Sequence, residues 1–186
     1  MKKLEKAAWL EEGLKVLAND GFQKVTIDNL CFLLQITKGS FYHHFRNIDG
    51  YIEALMKYWL EKNTVNLIRA TDMMVKIDEK FIRLNDLASS VSQKAEQVIR
   101  AWSFSNEIVR RYMQDVDNMR LDYLISLNKQ IGMGAKEAEN YATLEYGTMI
   151  GVQQLKPNIS QEDFKNLYFV FRDNKLQKLR DRNNQK

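Results

Sequence analysis

Leu10, Leu14 and Leu17 repeat at the spacing of a helix, and Gly21 stands where such a helix would stop, so the pattern predicts a first helix from about Leu4 to Asn19. Phe22 then turns inward. Ile27, Leu30, Cys31 and Leu34 supply the inner face of a short second helix; Thr26 is placed to cap it through its hydroxyl, and Asp28 suits the positive end of its dipole. Gln35 and Ile36 form a tight connection, Thr37 offers a second cap, and a third helix runs to Phe45. Asn47 can cap a fourth, in which Ile48, Ile52, Leu55 and Trp59 repeat in register and the pattern persists toward Met73. Two short helices joined abruptly thus precede a long one.

Beyond Ile77 the pattern reads helix after helix: Phe81 to Val91, Ala95 to Phe104, and a long segment from Asn106 to Ile131 with Val109, Val116, Tyr123 and Leu127 as its inner stripe. Gly132, Met133 and Gly134 interrupt the chain, a helix follows from about Lys136 to Leu155, and Lys156, Pro157 and Asn158 interrupt it again. Ser160 and Asp163 make a capping box for a last helix that sets Phe164, Leu167, Tyr168 and Phe171 on one side. No internal repeat or low-complexity linker is visible. Eight glycines and one proline leave few chain breakers, so composition agrees with an all-α protein.

Composition also narrows the function classes. With 45% hydrophobic and 28% charged residues, the chain reads as globular and able to bury a core. Its single cysteine, Cys31, cannot form an internal disulfide, which fits a reducing compartment. Glu5, Lys6, Glu11 and Glu12 interrupt the apolar stretch that would have to follow Met1 to Leu4 in a signal peptide, and no run of about 18 apolar residues suits a membrane span. The expected location is therefore cytoplasmic. The net charge of +4 does not by itself point to nucleic acid: residues 1 to 50 carry seven Lys/Arg against six Asp/Glu, and the excess lies at residues 172 to 186, with six against two. A solvated tail that favours a helix dipole accounts for that.

The candidate chemistry lies in the third helix. A helix that reads the major groove needs a buried back and an outward face of donors. Phe41 and Phe45, one turn apart, dock inward with Ile36, leaving Lys38, Ser40, Tyr42, His43 and His44 on the other faces. Gly39 lets the backbone approach DNA closely, and the amides behind Thr26 and Thr37 suit phosphate oxygens. His43 and His44, the only histidines, point roughly 100° apart and cannot jointly chelate a metal as a pair four apart can. Cys31 reads as a small core hydrophobe. No glycine-rich phosphate loop, zinc-protease motif or carboxylate pair with a supporting histidine is present, so neither an enzyme nor a cofactor site is expected.

At these residues the sequence resembles the TetR family of transcriptional regulators, over about residues 4 to 60. The match is carried by Gly21-Phe22, Thr26, Leu30-Cys31, Ile36-Thr37-Lys38-Gly39-Ser40 and Tyr42-His43-His44-Phe45 in register. The resemblance implies a three-helix helix-turn-helix DNA-binding domain over residues 1–47 and a larger helical effector-binding and dimerisation domain over 48–186. It implies base or phosphate contacts by Lys38, Gly39, Ser40 and His43, and phosphate contacts by Thr26, Thr37, Tyr42 and His44. Two positions depart from it: Gln35 stands where the family commonly has glycine, and Ile48 where it commonly has lysine.

The family's small-molecule pocket lies in the C-terminal domain, where Trp59, Trp102, Phe104, Tyr123 and Tyr146 are candidate lining residues. Dimerisation is expected on the last two helices: Leu144, Gly147, Thr148 and Gly151 form a small-residue strip, and Phe164, Leu167, Tyr168 and Phe171 are too apolar for a bare terminal helix. The expected partners are an operator in double-stranded DNA, a second copy of the chain and an unidentified small-molecule effector, with no membrane. The reading is a ligand-responsive homodimeric repressor on a palindromic operator. Its rival is a helical dimer that serves as a protein-interaction or ligand-binding module and whose degenerate helix-turn-helix no longer reads DNA.

Overall fold

The structure, a computed structural model, describes residues 5–183, with side chains through Lys175 and at Gln177. The expected start of the first helix at Leu4 lies outside the described residues, as does the end of the basic tail. The helices are α1 (Lys6–Asp20), α2 (Ile27–Leu34), α3 (Lys38–His44), α4 (Ile48–Leu60), α5 (Asn66–Asp72), α6 (Ile77–Ser90), α7 (Gln93–Trp102), α8 (Glu107–Gln130), α9 (Ala135–Leu155) and α10 (Gln161–Asn183). A π-turn, Glu61–Val65, joins α4 to α5, and a 3₁₀ turn, Phe22–Lys24, follows α1. No strand occurs among the described residues. No described helix is long and apolar enough to cross a membrane.

The caps explain where several of these helices begin and end. Gly21, at φ +83°, closes α1 and donates its N–H to Val16 O. Thr26, Asn47, Ser92 and Ser160 each accept a backbone N–H from three residues on, at the starts of α2, α4, α7 and α10. Gly132, at φ +93°, takes the left-handed turn between α8 and α9. Thr37 holds the expected capping position before α3 with extended backbone, but its side chain makes no cap hydrogen bond.

The chain forms two compact units. The first comprises residues up to Asn66 with Ser92–Met119. Its core joins Trp9 and Leu17 of α1, Leu30 of α2, Phe41 of α3, Leu55 and Trp59 of α4, Ile99 of α7 and Val109 and Val116 of α8. Close approach of α1 to α4 depends on Gly13, because a Cβ there would overlap the Tyr51 hydroxyl. That hydroxyl donates to Trp9 O at 2.8 Å, and burial raises its pKa. Arg100 of α7 meets Asp117 of α8 through two nitrogens, at 3.0 and 2.9 Å.

The second unit comprises Leu67–Val91 and the residues from Arg120 on. Its buried line on α8 passes through Leu124 and Leu127. The expected stripe residue Tyr123 is only half-buried, turned one position aside so that its hydroxyl donates to Asp72 at 2.9 Å. On α10 the expected apolar side is also modified. Phe164 and Tyr168 are buried, Phe171 is half-buried and Leu167 is exposed, while Lys175 is 1% exposed. Successive residues of a helix point about 100° apart, so Leu167 falls off the line that Phe164, Tyr168 and Lys175 define. The Lys175 ammonium donates to Glu145 Oε2 at 2.8 Å and to Asn128 Oδ1 at 2.9 Å, and sits 4.4 Å from the centre of the Phe81 ring. Three elements, α8, α9 and α10, are thereby tied through one buried charge.

Candidate nucleic-acid interface

The site is built from α2, its turn and α3. Thr26 Oγ1 accepts from Asn29 N at 3.2 Å, and Asn29 Nδ2 donates to Lys24 O at 2.9 Å, which fixes the entry to α2. Leu30 and Cys31 face the core, and burial, then the nearby Asp28 charge, push the Cys31 thiol above its ordinary range. Such a thiol is protonated and inert. The helix ends at Gln35, in the left-handed conformation with φ 55° and ψ 44°. This is the backbone that favours glycine, at the position where the resembled family commonly has it. The reversal lets Ile36 N donate to Cys31 O at 3.0 Å and brings the chain straight into α3.

The two faces of α3 are chemically distinct. Phe41 is fully buried and Phe45 is 4% exposed. Trp9 meets both rings edge-on at 5.4 and 6.2 Å, and Tyr51 lies 5.7 and 4.9 Å from them. This aromatic cluster holds α3 against α1 and α4. On the other side Lys38, Gly39, Tyr42 and His43 are exposed, Ser40 and His44 are half-buried, and Thr26 and Thr37 are exposed beside them. The eight expected contact residues therefore belong to one short segment and its neighbouring cap. Among the described residues a Cβ on Gly39 would meet Thr37 Oγ1 at 3.7 Å, an ordinary contact, so their packing does not demand glycine there. Ile48 packs half-buried against the core.

An interaction that sequence spacing did not suggest crosses the turn. Lys38 Nζ lies 2.5 Å from Asp28 Oδ1, and the hydrogen bond to Asp28 raises the lysine's pKa. The two residues are ten apart, and only the left-handed turn at Gln35 brings them together. Phe32 and Leu33 are a second unanticipated feature, 78% and 41% exposed on the outside of α2.

The remaining candidates are dispersed. Trp59 is fully buried in the first unit, and Trp102 stacks on Phe22 there with ring centres 5.6 Å apart. Phe104 is 81% exposed. In the second unit Tyr123 pairs with Asp72, and Tyr146 accepts from Arg120 at 3.2 Å. Of the candidate dimer residues, Leu144, Gly147, Thr148 and Leu167 are exposed and Gly151 and Phe171 are half-buried, whereas Phe164 and Tyr168 are covered by their own chain. Among the described residues no group of three His, Cys, Asp or Glu side chains could hold a metal ion.

Comparison with known proteins gives the segment a family. Residues 10–55 match the model of bacterial regulatory proteins of the tetR family. None of the curated proteins matches the chain by sequence at a significant level. Among solved structures, a transcriptional regulator from Rhodococcus sp. Rha1 superposes with a TM-score of 0.73 at 13% identity, over 90% of this chain and 94% of its own. A Saccharomonospora viridis protein assigned as a transcriptional regulator and crystallised with choline gives a TM-score of 0.74 at 15% identity, over 89% of this chain and 94% of that one. AibR, crystallised with isovaleryl coenzyme A and operator DNA, gives 0.62 at 14% identity, over 89% and 95%. At these identities the likeness is one of fold.

Proposed function

We propose that this chain, a transcriptional regulator whose helix-turn-helix domain belongs to the tetR family, works as a ligand-responsive homodimeric repressor on a palindromic operator. The observation that carries the reading is the split of α3, with Phe41 and Phe45 in the core and Lys38, Gly39, Tyr42 and His43 facing out. In this reading Lys38, Gly39, Ser40 and His43 approach base edges or phosphates, and Thr26, Thr37, Tyr42 and His44 hold phosphates. Ile48 adds no charge at the start of α4, so the phosphate grip there is weaker by one contact.

By role, residues 1–47 bind DNA and residues 48–186 bind effector and partner. This division differs from packing, since α4 and α7 share a compact unit with the helix-turn-helix. Dimerisation is assigned to the outer face of α9 and α10. Leu144 is 61% exposed and Leu167 40%, and a Cβ on Gly147 or Gly151 would meet nothing within 4 Å among the described residues. Among these residues neither glycine is required by a close neighbour, and both would let a partner helix approach closely. The dimer would set two copies of α3 about 34 Å apart, on successive major grooves. An effector within 48–186 would shift the spacing of the two copies, and a coupling of about five- to 150-fold in operator affinity suffices for a switch. Tyr123 and Tyr146 are the candidate lining residues that keep polar partners in the second unit. The fold neighbours crystallised with choline and with an acyl coenzyme A support such a pocket. The work is assigned to the cytoplasm.

The test is a salt-dependent binding assay on the DNA flanking the protein's own gene, comparing the wild type with Tyr42→Ala and Lys38→Ala. Each variant should bind more weakly, and each lost phosphate contact should lower the salt slope by about one. Equal binding by all three proteins would remove α3 from the interface.

A further inference from the structure

Asp28 is the unexpected member of the proposed interface. It stands in the first turn of α2, where a carboxylate suits the dipole, yet it faces the side that would meet a polyanion. Its partner Lys38 opens α3, at the end from which a recognition helix reaches base edges. The side chains are 60% and 76% exposed for Lys38 and Asp28, so their 2.5 Å contact lies in water and adds little to stability. The arrangement of α2 and α3 is already secured by Leu30, Phe41 and the aromatic cluster. If the surface served only to grip phosphates, Asp28 would cancel one of few cations, because residues 1 to 50 carry only seven Lys/Arg against six Asp/Glu.

What the pair offers is a donor and an acceptor side by side. The major-groove edge of a G·C pair shows two neighbouring acceptors, guanine N7 and O6, and then the cytosine N4 amino donor. A lysine ammonium satisfies the first two and a carboxylate accepts from the third. An A·T pair places its amino donor between two acceptors, and the carboxylate would there face thymine O4 or crowd the ammonium. We propose that Asp28 and Lys38 together read one G·C base pair in each operator half-site, with Lys38 donating to guanine and Asp28 accepting from cytosine. The inference rests on α3 being the helix that enters the groove. It makes Asp28 a specificity residue whose charge lowers affinity for DNA in general while selecting one base pair.

The experiment selects bound sequences from a randomised duplex pool with the full-length wild type, Asp28→Ala and Lys38→Ala, then titrates each protein on the selected site and on one with the fixed G·C pair replaced by A·T. For the wild type the replacement should weaken binding by about five- to 150-fold. For Asp28→Ala most of that ratio should vanish, while affinity for unrelated DNA rises and its salt slope steepens by about one, since Lys38 is released to a phosphate. Lys38→Ala should also lose the ratio without the steeper slope. Thermal unfolding of Asp28→Ala should fall only slightly below the wild type, since an exposed carboxylate in the first turn of α2 contributes little beyond its interaction with the helix dipole. An Asp28→Ala protein that selects the same half-site with the same G·C ratio would overturn the proposal and leave DNA binding standing. Absence of salt-sensitive DNA binding by the wild type would overturn both.

Discussion

The two compact units solve the problem of a core differently. In the first, buried side chains are mostly apolar. A buried carboxylate, Glu96 at 4% exposure, pairs within α7 with Arg100, which also meets Asp117, while other polar ties, such as Glu11 with Lys62 and Tyr58, lie toward the surface. In the second, Lys175 and Glu145 are 1% and 2% exposed and Asn128 fully buried, joined by hydrogen bonds. An apolar core tolerates no gap or excess volume, whereas a buried charge tolerates no missing partner. The first design fixes shape, as suits a unit that must hold α3 in a defined pose. The second ties α10 to α8 and α9 through a buried charge and to α6 through the buried Asn85 amide, which donates to Lys165 O at 3.2 Å.

The largest expected effect tests that contrast at the buried pair. Glu145→Leu leaves the Lys175 ammonium in the core without its carboxylate and should cost about 3 to 5 kcal/mol in urea unfolding followed by circular dichroism. Combining it with Lys175→Met should restore most of the loss, since replacing both charges with apolar groups is often neutral or stabilising. A single variant within about 0.5 kcal/mol of wild type would show that the pair is not a condition for stability and would break the comparison.

Next in size is a change in the first unit. Gly13→Ala sets a methyl group against the Tyr51 hydroxyl and so against its bond to Trp9 O. Overpacking of this kind should cost about 1 to 3 kcal/mol, read from the same urea curves. Tyr51→Phe combined with it should recover part of the loss by removing the crowded oxygen. No recovery would mean that the helices separate rather than the hydroxyl yielding.

The same contrast explains what was legible in the sequence. In the first unit the driving residues are apolar and the helix starts are marked by Thr26 and Asn47, so spacing and caps locate the starts of α2, α3 and α4 within a residue. The pattern expected to run on toward Met73 is instead broken after Leu60 by the π-turn. The outward face of α3 followed, because Phe41 and Phe45 fix its inner side. Gln35 was legible as an odd residue in a turn, and its positive φ is the physical content of that oddity. Contacts made by chain reversal were not legible: Asp28 and Lys38 are ten residues apart and share no helical face. In the second unit the reading by hydropathy assigned the inner side of α10 to Phe164, Leu167, Tyr168 and Phe171. It passed over Lys175, because a lone lysine counts as solvent-facing unless its buried partners are known. Glu145 and Asn128 lie 30 and 47 residues away from it, beyond any local pattern.

The smallest expected effect belongs to the polar rim of the first unit. Tyr58 donates to Glu11 Oε1, and Lys62 donates to the same oxygen at 2.7 Å, joining α1 to α4 and the π-turn. The Lys62 and then the Tyr58 hydrogen bonds hold the Glu11 carboxyl below its ordinary 4.5, while the bond to Glu11, then burial, pushes Tyr58 up to about 12 from 10.0. Because Glu11 and Lys62 are 41% and 46% exposed, water screens the cluster, and Tyr58→Phe should cost only about 0.5 to 1 kcal/mol near neutral pH. Its pH dependence is the sharper test. A depressed carboxyl stabilises the fold above its ordinary pKa and loses that contribution as pH falls through the lowered value. A raised phenol stabilises below its ordinary pKa and loses that contribution as pH climbs toward about 12. The wild-type advantage over Tyr58→Phe should therefore be flat across neutral pH and shrink at both ends, in urea midpoints measured below pH ~4, near pH ~7 and above pH ~11 at one protein concentration. An advantage that keeps its size at both extremes would show that the Tyr58 hydroxyl only fills space, and the rim of the first unit would then be as apolar in effect as its core.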